Sequence, residues 1–113
     1  MSVSMMALYR RPDGGEEALA TFRRRYAEEH VPLIRSLPGL RTLRVDRVTH
    51  AFDETDLVMV AEMVFDSRVE LDAALASPEM RAAGRNLREI APGISTVVVV
   101  EPEDDVVDGA PTS

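Results

Sequence analysis

Hydrophobic and polar residues follow two different periods along the chain, and each change of period indicates a new element. Short, mostly apolar runs predict four β-strands, over residues 3–10, 40–49, 57–65 and 94–100. Between them, apolar residues recur every three or four positions over residues 16–37 and 67–91, which predicts two helical regions. The order β-α-β-β-α-β predicts an α+β, ferredoxin-like antiparallel sheet with its helices on one face.

Turn and capping residues refine the two helical regions. Pro32 has no amide hydrogen, so we expect it to kink or restart the first helix near His30. Ser67 and Glu70 have the spacing of a capping box, which predicts that the second region begins there. Ser77 is followed by a proline at the first helical position, which predicts a restart of that region.

The strand pattern also predicts a homodimer. In the ferredoxin-like order the first and third strands are central, and these are mostly apolar. Strands one, three and four are apolar on both faces, whereas a half-solvated antiparallel sheet should alternate. Strand four would also expose a valine-rich edge, which proteins usually protect. We therefore expect a second copy of the chain to cover the bare face of the sheet.

Charge is concentrated at one end of the chain. The net charge is −7, but residues 1–100 hold 13 basic and 15 acidic residues, a net charge of −2. Five acids and two prolines fall in the last 13 residues, a composition typical of disorder. We predict one domain over residues 3–101 and an acidic disordered tail over residues 102–113. A near-neutral domain without a clustered basic face predicts no nucleic-acid partner.

Several classes of site lack support in the sequence. The chain has no cysteine and none of the motifs of nucleotide or zinc-protease sites, so we predict no metal and no cofactor. Haem stays open, because a single histidine can serve as an axial ligand. No apolar run approaches the roughly 20 residues of a membrane span, and a signal-peptide pattern is missing. We expect a cytoplasmic protein with no membrane partner.

His30 is the first candidate for chemistry. It continues the apolar stripe of Leu19, Phe22 and Tyr26 at helical spacing, which predicts that it faces the sheet. Imidazole is the side chain most easily poised for proton transfer near neutral pH, so His30 is a candidate catalytic acid or base. The alternative is a structural histidine that bonds to a backbone carbonyl freed by Pro32.

Glu62 is the second candidate catalytic residue, because it is the only charged residue in an otherwise apolar central strand. A carboxylate there could act as an acid or base. The alternative is a cross-strand pair with Arg44 or Arg47. Tyr9 and Tyr26 are candidate ligand-binding residues, because both hydroxyls could reach the same pocket. The alternative for each is an ordinary core aromatic with its hydroxyl satisfied.

Four short segments carry a resemblance to a known family. Residues 26–33 (YAEEHVPL), followed by residues 37–41 (LPGLR), resemble the signature of the EthD family, which is named for ethyl tert-butyl ether degradation. Residues 60–67 (VAEMVFDS) resemble that family's third strand entering its second helix, and residues 77–80 (SPEM) fall at its second restart. The resemblance covers about residues 3–101. Asn86 stands where many members have an acid, and Leu43 where an aromatic is common.

The resemblance implies a fold, an assembly and a range of activities. It implies the dimeric α/β barrel, in which two ferredoxin-like sheets pack face to face. It also implies a small hydrophobic or aromatic ligand and, if the chain is an enzyme, cofactor-independent isomerisation, cyclisation, decarboxylation or oxygenation with His30 as acid or base. The alternative is a non-catalytic accessory or binding protein of an oxidative degradation pathway.

Overall fold

A computed structural model describes residues 2–103, so most of the predicted tail (residues 104–113) lies outside the described residues. The strands follow the predicted order and are β1 (Val3–Arg10), β2 (Leu40–Arg47), β3 (Leu57–Phe65) and β4 (Ser95–Val100). The helices are α1 (Gly15–Arg25), α2 (Val31–Arg35), α3 (Arg68–Leu75) and α4 (Pro78–Ile90). None of these helices is both long and apolar enough to cross a membrane.

The four strands form one antiparallel sheet in the order β2-β3-β1-β4. The predicted central and edge positions are therefore confirmed, and the fold is ferredoxin-like. Side chains alternate along β1, and those that face the helices are buried. This inner face carries the core of the sheet. Its largest fully buried side chains are Tyr9 and Phe65, and Leu71 of α3 packs in the same core.

The predicted disturbance at Pro32 takes the form of a single π-helical turn over Tyr26–His30, between α1 and α2. The amide of Val31 donates to the carbonyl of Tyr26, five residues back, and the backbone stays helical throughout. Pro32 cannot donate to Glu28, and its ring crowds that carbonyl, so the turn widens. A wider turn changes the directions of its side chains, including that of His30 at its end.

The helix caps differ in part from the predicted pattern. Ser77 accepts a hydrogen bond from the amide of Met80 at 3.1 Å, which confirms the predicted restart at α4. Ser67 precedes α3 as predicted, but its hydroxyl donates to the carboxylate of Glu70 and caps no amide. The first helical region ends at Arg35, two residues before the predicted end, and the Ser36 hydroxyl there donates to the Leu33 carbonyl at 2.6 Å.

The outer face of the sheet is turned away from the helices and is covered by none of the described residues. Its side chains on the two central strands are half-buried and largely apolar: Ser4, Met6, Leu8, Val60, Glu62 and Val64. On the edge strand β4, Val98 and Val100 lie on this outer face at 42% and 40% exposure, and Val97 and Val99 are exposed on the inner face. The apolar character expected on both faces of β1, β3 and β4 is thus present in the fold.

Candidate functional site

His30 lies in an aromatic cluster between the helices and the inner face of the sheet. It is only 3% exposed, and its ring centre is 5.1 Å from that of Tyr26. Tyr26 in turn meets Tyr9 edge-on at 5.2 Å, and Phe22 contacts both tyrosines. The structure therefore brings together three of the four predicted site residues, His30, Tyr26 and Tyr9.

Asn86 of α4 fixes the tautomer of His30. The Asn86 amide nitrogen is 3.0 Å from Glu29 Oε1, and a carboxylate oxygen only accepts, so this amide end is the donor. The other end, Asn86 Oδ1, then accepts from His30 Nδ1 at 3.1 Å. A neutral His30 carries its proton on Nδ1 and has its free electron pair on Nε2.

The free nitrogen of His30 keeps contact with the exterior. Nε2 has no hydrogen-bond partner within residues 2–103. In that same part of the chain, every fully buried side-chain nitrogen or oxygen has a partner. Nε2 must therefore account for some of the small exposed fraction of His30.

Glu29 is held in turn by Arg25. The guanidinium donates to both carboxylate oxygens at 2.8 and 3.1 Å, one helical turn away, and also lies 3.4 Å from Glu89. The hydrogen bonds from Arg25 and then from Asn86 hold the pKa of Glu29 below its ordinary value. The carboxylate stays ionised and continues to orient the Asn86 amide.

Burial sets the protonation states in the cluster. It lowers the pKa of His30, an effect that the Asn86 hydrogen bond partly opposes, so the imidazole is neutral at pH 7. Burial also raises the pKa of both Tyr9 and Tyr26, so both hydroxyls stay protonated. The Tyr9 hydroxyl donates to that of Tyr26 at 3.4 Å, which leaves the Tyr26 proton available.

A cleft of about 270 Å³ opens beside Tyr26 at the β2 end of the helix layer. Its lining comes from the first helical region and from the inner face of β2 and β3: Arg23, Tyr26, Ala27, Val31, Val45, Arg47 and Met59. We call this space the Tyr26 cleft. A larger cleft, of about 540 Å³, lies between the loop after β1 and the end of α4, and none of the predicted site residues lines it.

Glu62 lies on the outer face of the sheet, on the opposite side from His30. Its carboxylate accepts from the Ser4 hydroxyl at 3.1 Å. Arg44 is its cross-strand neighbour in the β2–β3 hairpin, but the guanidinium pairs with Asp46 at 2.9 Å. Arg47 lies opposite Met59 instead. A small molecule that touched Glu62 would therefore lie across the sheet from His30.

The sequence did not identify Asn86, Glu29 and Arg25 as positioning residues. Asn86 lies 56 residues from His30 along the chain, so no local spacing connects them. The departure from the EthD pattern at Asn86 was the one available signal. Within residues 2–103, no three side chains of the metal-ligating types His, Cys, Asp and Glu are grouped to hold an ion.

Comparison with known proteins identifies the family to which the chain belongs. The family model described as the EthD domain matches residues 16–92. An uncharacterised 11.0 kDa protein of the thcB–thcC intergenic region of Rhodococcus erythropolis is 26% identical over 85 residues, or 74% of this chain and 82% of that protein. An EthD-family crystal structure from Bacillus halodurans superimposes with a TM-score of 0.80 at 29% identity, over 91% of this chain and all of that one.

More distant solved structures share the fold. A dimeric ferredoxin-like protein of unknown function from Bacteroides fragilis has a TM-score of 0.66 at 22% identity, covering 89% of this chain and 96% of that one. SnoaB, a cofactor-independent oxygenase from Streptomyces nogalater, has a TM-score of 0.57 at 19% identity, covering 89% and 92%. With the family model matching more than half of its length, this chain belongs to the EthD domain family.

Proposed function

We propose that this protein binds a small, largely apolar organic molecule between its first helical region and its sheet, and that His30 exchanges a proton with that molecule. The observation that carries the proposal is the bond between His30 Nδ1 and Asn86 Oδ1. It commits Nδ1 as a donor to the protein and leaves Nε2 as a free acceptor. A base oriented by a second group, itself held by a third, is the arrangement that proton-transfer enzymes use.

The protonation states suit this role. A general base must be deprotonated at the working pH, and burial lowers the pKa of His30 so that the neutral ring predominates at pH 7. Nε2 takes a proton from an acidic C–H or O–H group of the ligand, and the resulting imidazolium returns it to another atom. Proton abstraction of this kind is common to isomerisation, cyclisation and cofactor-free oxygenation, whereas in decarboxylation the imidazolium form would supply the proton that the carbon takes up after CO₂ leaves.

The Tyr26 cleft is the ligand site in this proposal, in preference to the larger cleft. Its walls are mostly apolar, and Tyr26, which contacts His30, forms part of them. Charged loop residues border the 540 Å³ cleft. None of Tyr9, Tyr26 and His30, the residues whose pKa is shifted by burial, lines it. Ligand sites are usually apolar with a few convergent polar groups, which favours the smaller space.

We further propose that the protein is a homodimer joined through the outer face of the sheet. The apolar side chains of β1, β3 and β4 on that face have no cover among residues 2–103. Stacking two such faces would bury them, and several proteins of the same fold are described as dimeric. Glu62 and its Ser4 partner would then lie at the interface, away from the ligand. This placement favours a structural role for Glu62 over a catalytic one.

A second candidate function is ligand binding without catalysis. One observation favours it: His30 is not among the residues that line the Tyr26 cleft, although Tyr26, whose ring contacts that of His30, is. A proton transfer therefore needs Tyr26 or the widened π-helical turn to move. Binding alone does not.

The experiment that tests the proposal compares wild type with His30→Gln, and with His50→Gln as the matched control on an exposed histidine. Small molecules retained through purification are identified by mass spectrometry and returned to each protein. Conversion by wild type and by His50→Gln, but only binding by His30→Gln, supports proton transfer. Binding without conversion by all three supports the non-catalytic candidate, and loss of the fold in His30→Gln would show a structural histidine.

A further inference from the structure

We infer that the ligand of the Tyr26 cleft is an organic acid, whose carboxylate is held by Arg23 and Arg47. This inference rests on the proposed ligand site and names the class of compound that the site accepts. Arg23 projects from α1, and Arg47 from the inner face of β2 opposite Met59. The two guanidiniums border one cleft whose other lining residues carry no charge.

Neither arginine has an acidic partner among residues 2–103, a condition that Arg10, Arg35, Arg81, Arg85 and Arg88 share but their sequence neighbours Arg24, Arg25 and Arg44 do not. Salt bridges occupy six other arginines: Arg11, Arg24, Arg25, Arg41, Arg44 and Arg68. Within residues 2–103, no carboxylate pairs with Arg23 or Arg47, and no side chain accepts a hydrogen bond from either. In a domain whose residues 1–100 carry a net charge of only −2, a cleft bordered by two unpaired cations is a local excess of positive charge.

Sequence neighbours explain why the two stay unpaired. Acids stand one helical turn from Arg24 and Arg25, but the corresponding positions around Arg23 are Leu19 and Ala27. On β2, Val45 lies two positions before Arg47 on the same face and is uncharged, as is the β3 partner of Arg47, Met59. The positive charge is thus available to a ligand.

The shape and chemistry of the cleft define the ligand further. Tyr26, Val31, Val45 and Met59 supply apolar and aromatic walls, and Arg23 is half-buried among them. A guanidinium presents a planar fork that matches a carboxylate, and such bonds strengthen where water is partly excluded. Because an apolar cavity of about 150 Å³ holds benzene, 270 Å³ has room for one substituted ring with its carboxylate at the arginines.

The test uses 4-ethylbenzoate and its neutral counterpart of the same shape, 4-ethylbenzyl alcohol, titrated by calorimetry into the full chain. We expect the acid to bind about tenfold more tightly than the alcohol. Arg23→Gln and Arg47→Gln should each weaken the acid about fivefold and leave the alcohol unchanged. Arg24→Gln and Arg41→Gln are the controls. Each also removes one positive charge, but from an arginine that already forms a salt bridge, with Glu28 or Asp66. Neither control should change the affinity for the acid or for the alcohol.

Each other outcome overturns a defined part of the argument. Equal affinity for acid and alcohol, with no effect at Arg23 or Arg47, rejects the organic-acid inference and leaves the ligand site standing. Equal losses in the control variants would assign the preference to overall charge and also reject it. Binding of neither probe rejects both the inference and the Tyr26 cleft as a ligand site. Methyl resonances of Val31 and Met59 that shift with the probe verify where it binds.

Discussion

His30 Nδ1 and Asn86 Oδ1 lie 3.1 Å apart, and this contact joins the π-helical turn to α4. It is one end of a chain of polar contacts that continues through Glu29 to Arg25. Because the carboxylate of Glu29 determines which end of the Asn86 amide faces the ring, an ionised group near the surface orients a buried one. The tautomer of His30 therefore depends on the side chains of Glu29 and Arg25, neither of which makes a hydrogen bond to the imidazole.

Substitution of Asn86 should change the pKa of His30 in a direction set by the new side chain. Asn86→Asp places a carboxylate beside the ring, which stabilises imidazolium and raises the pKa of His30. Asn86→Leu removes the acceptor that now raises the pKa, so the value falls further, and the unpaired Nδ1–H costs about 1–3 kcal/mol of stability. Titration of the imidazole nitrogen resonances measures the pKa of His30 in each variant. Identical His30 titrations in the three proteins would contradict the assigned contact.

Acid should destabilise the fold through His30. Its pKa in the folded protein lies below the ordinary value of 6.5, so the unfolded chain takes up a proton that the native one refuses. The free energy of unfolding should therefore stay level above pH 6.5 and fall as the pH drops below it, until the folded-state pKa is reached. Urea unfolding at pH 7.5 and 5.5 gives the difference. His30→Gln should reduce this difference in the free energy of unfolding between the two pH values, and His50→Gln should leave it unchanged.

A charge on the outer face of the sheet should separate the proposed dimer. Met6 lies at the centre of that face, between Glu62 and Val98 on the flanking strands. Met6→Glu would bury a second carboxylate beside Glu62, which a packed apolar interface does not tolerate. Light scattering after size exclusion should give about twice 12.5 kDa for wild type and 12.5 kDa for the variant.

The control for the dimer experiment is Val69→Glu, on a valine of α3 that is 74% exposed and outside the sheet. This variant should keep the mass of the wild type. A wild-type protein of 12.5 kDa at micromolar concentration would reject the homodimer. A dimeric Met6→Glu would move the interface to another surface.

Removal of residues 103–113 should leave the melting temperature nearly unchanged. Four acids and one proline in this segment offer too little apolar area to offset the entropy of ordering. The truncation retains Glu101, whose carboxylate lies 3.4 Å from Arg68. Differential scanning calorimetry of the two lengths provides the comparison. A loss of several degrees would mean that the segment packs on the domain or on the partner subunit.

The pattern of the sequence alone determined the architecture. Apolar runs and helical spacing located β1 and β3 with the bounds that the structure has, and the capping residue Ser77 located the start of α4. These features depend on residues close together in the sequence, because the spacing of apolar side chains over a few positions determines whether a segment forms a helix or a strand. The element order then sufficed to identify which strands are central.

Only the tertiary structure decided how the candidate residues combine. The π-helical turn and the packing of α4 brought Asn86 to His30, a pairing between residues far apart in sequence. The strand register put Glu62 on the face away from His30 and left Arg47 on the face toward it. A shift of one residue in that register would exchange the two faces, and no local preference distinguishes the alternatives. Long-range packing alone makes that choice, because it selects the face that is buried.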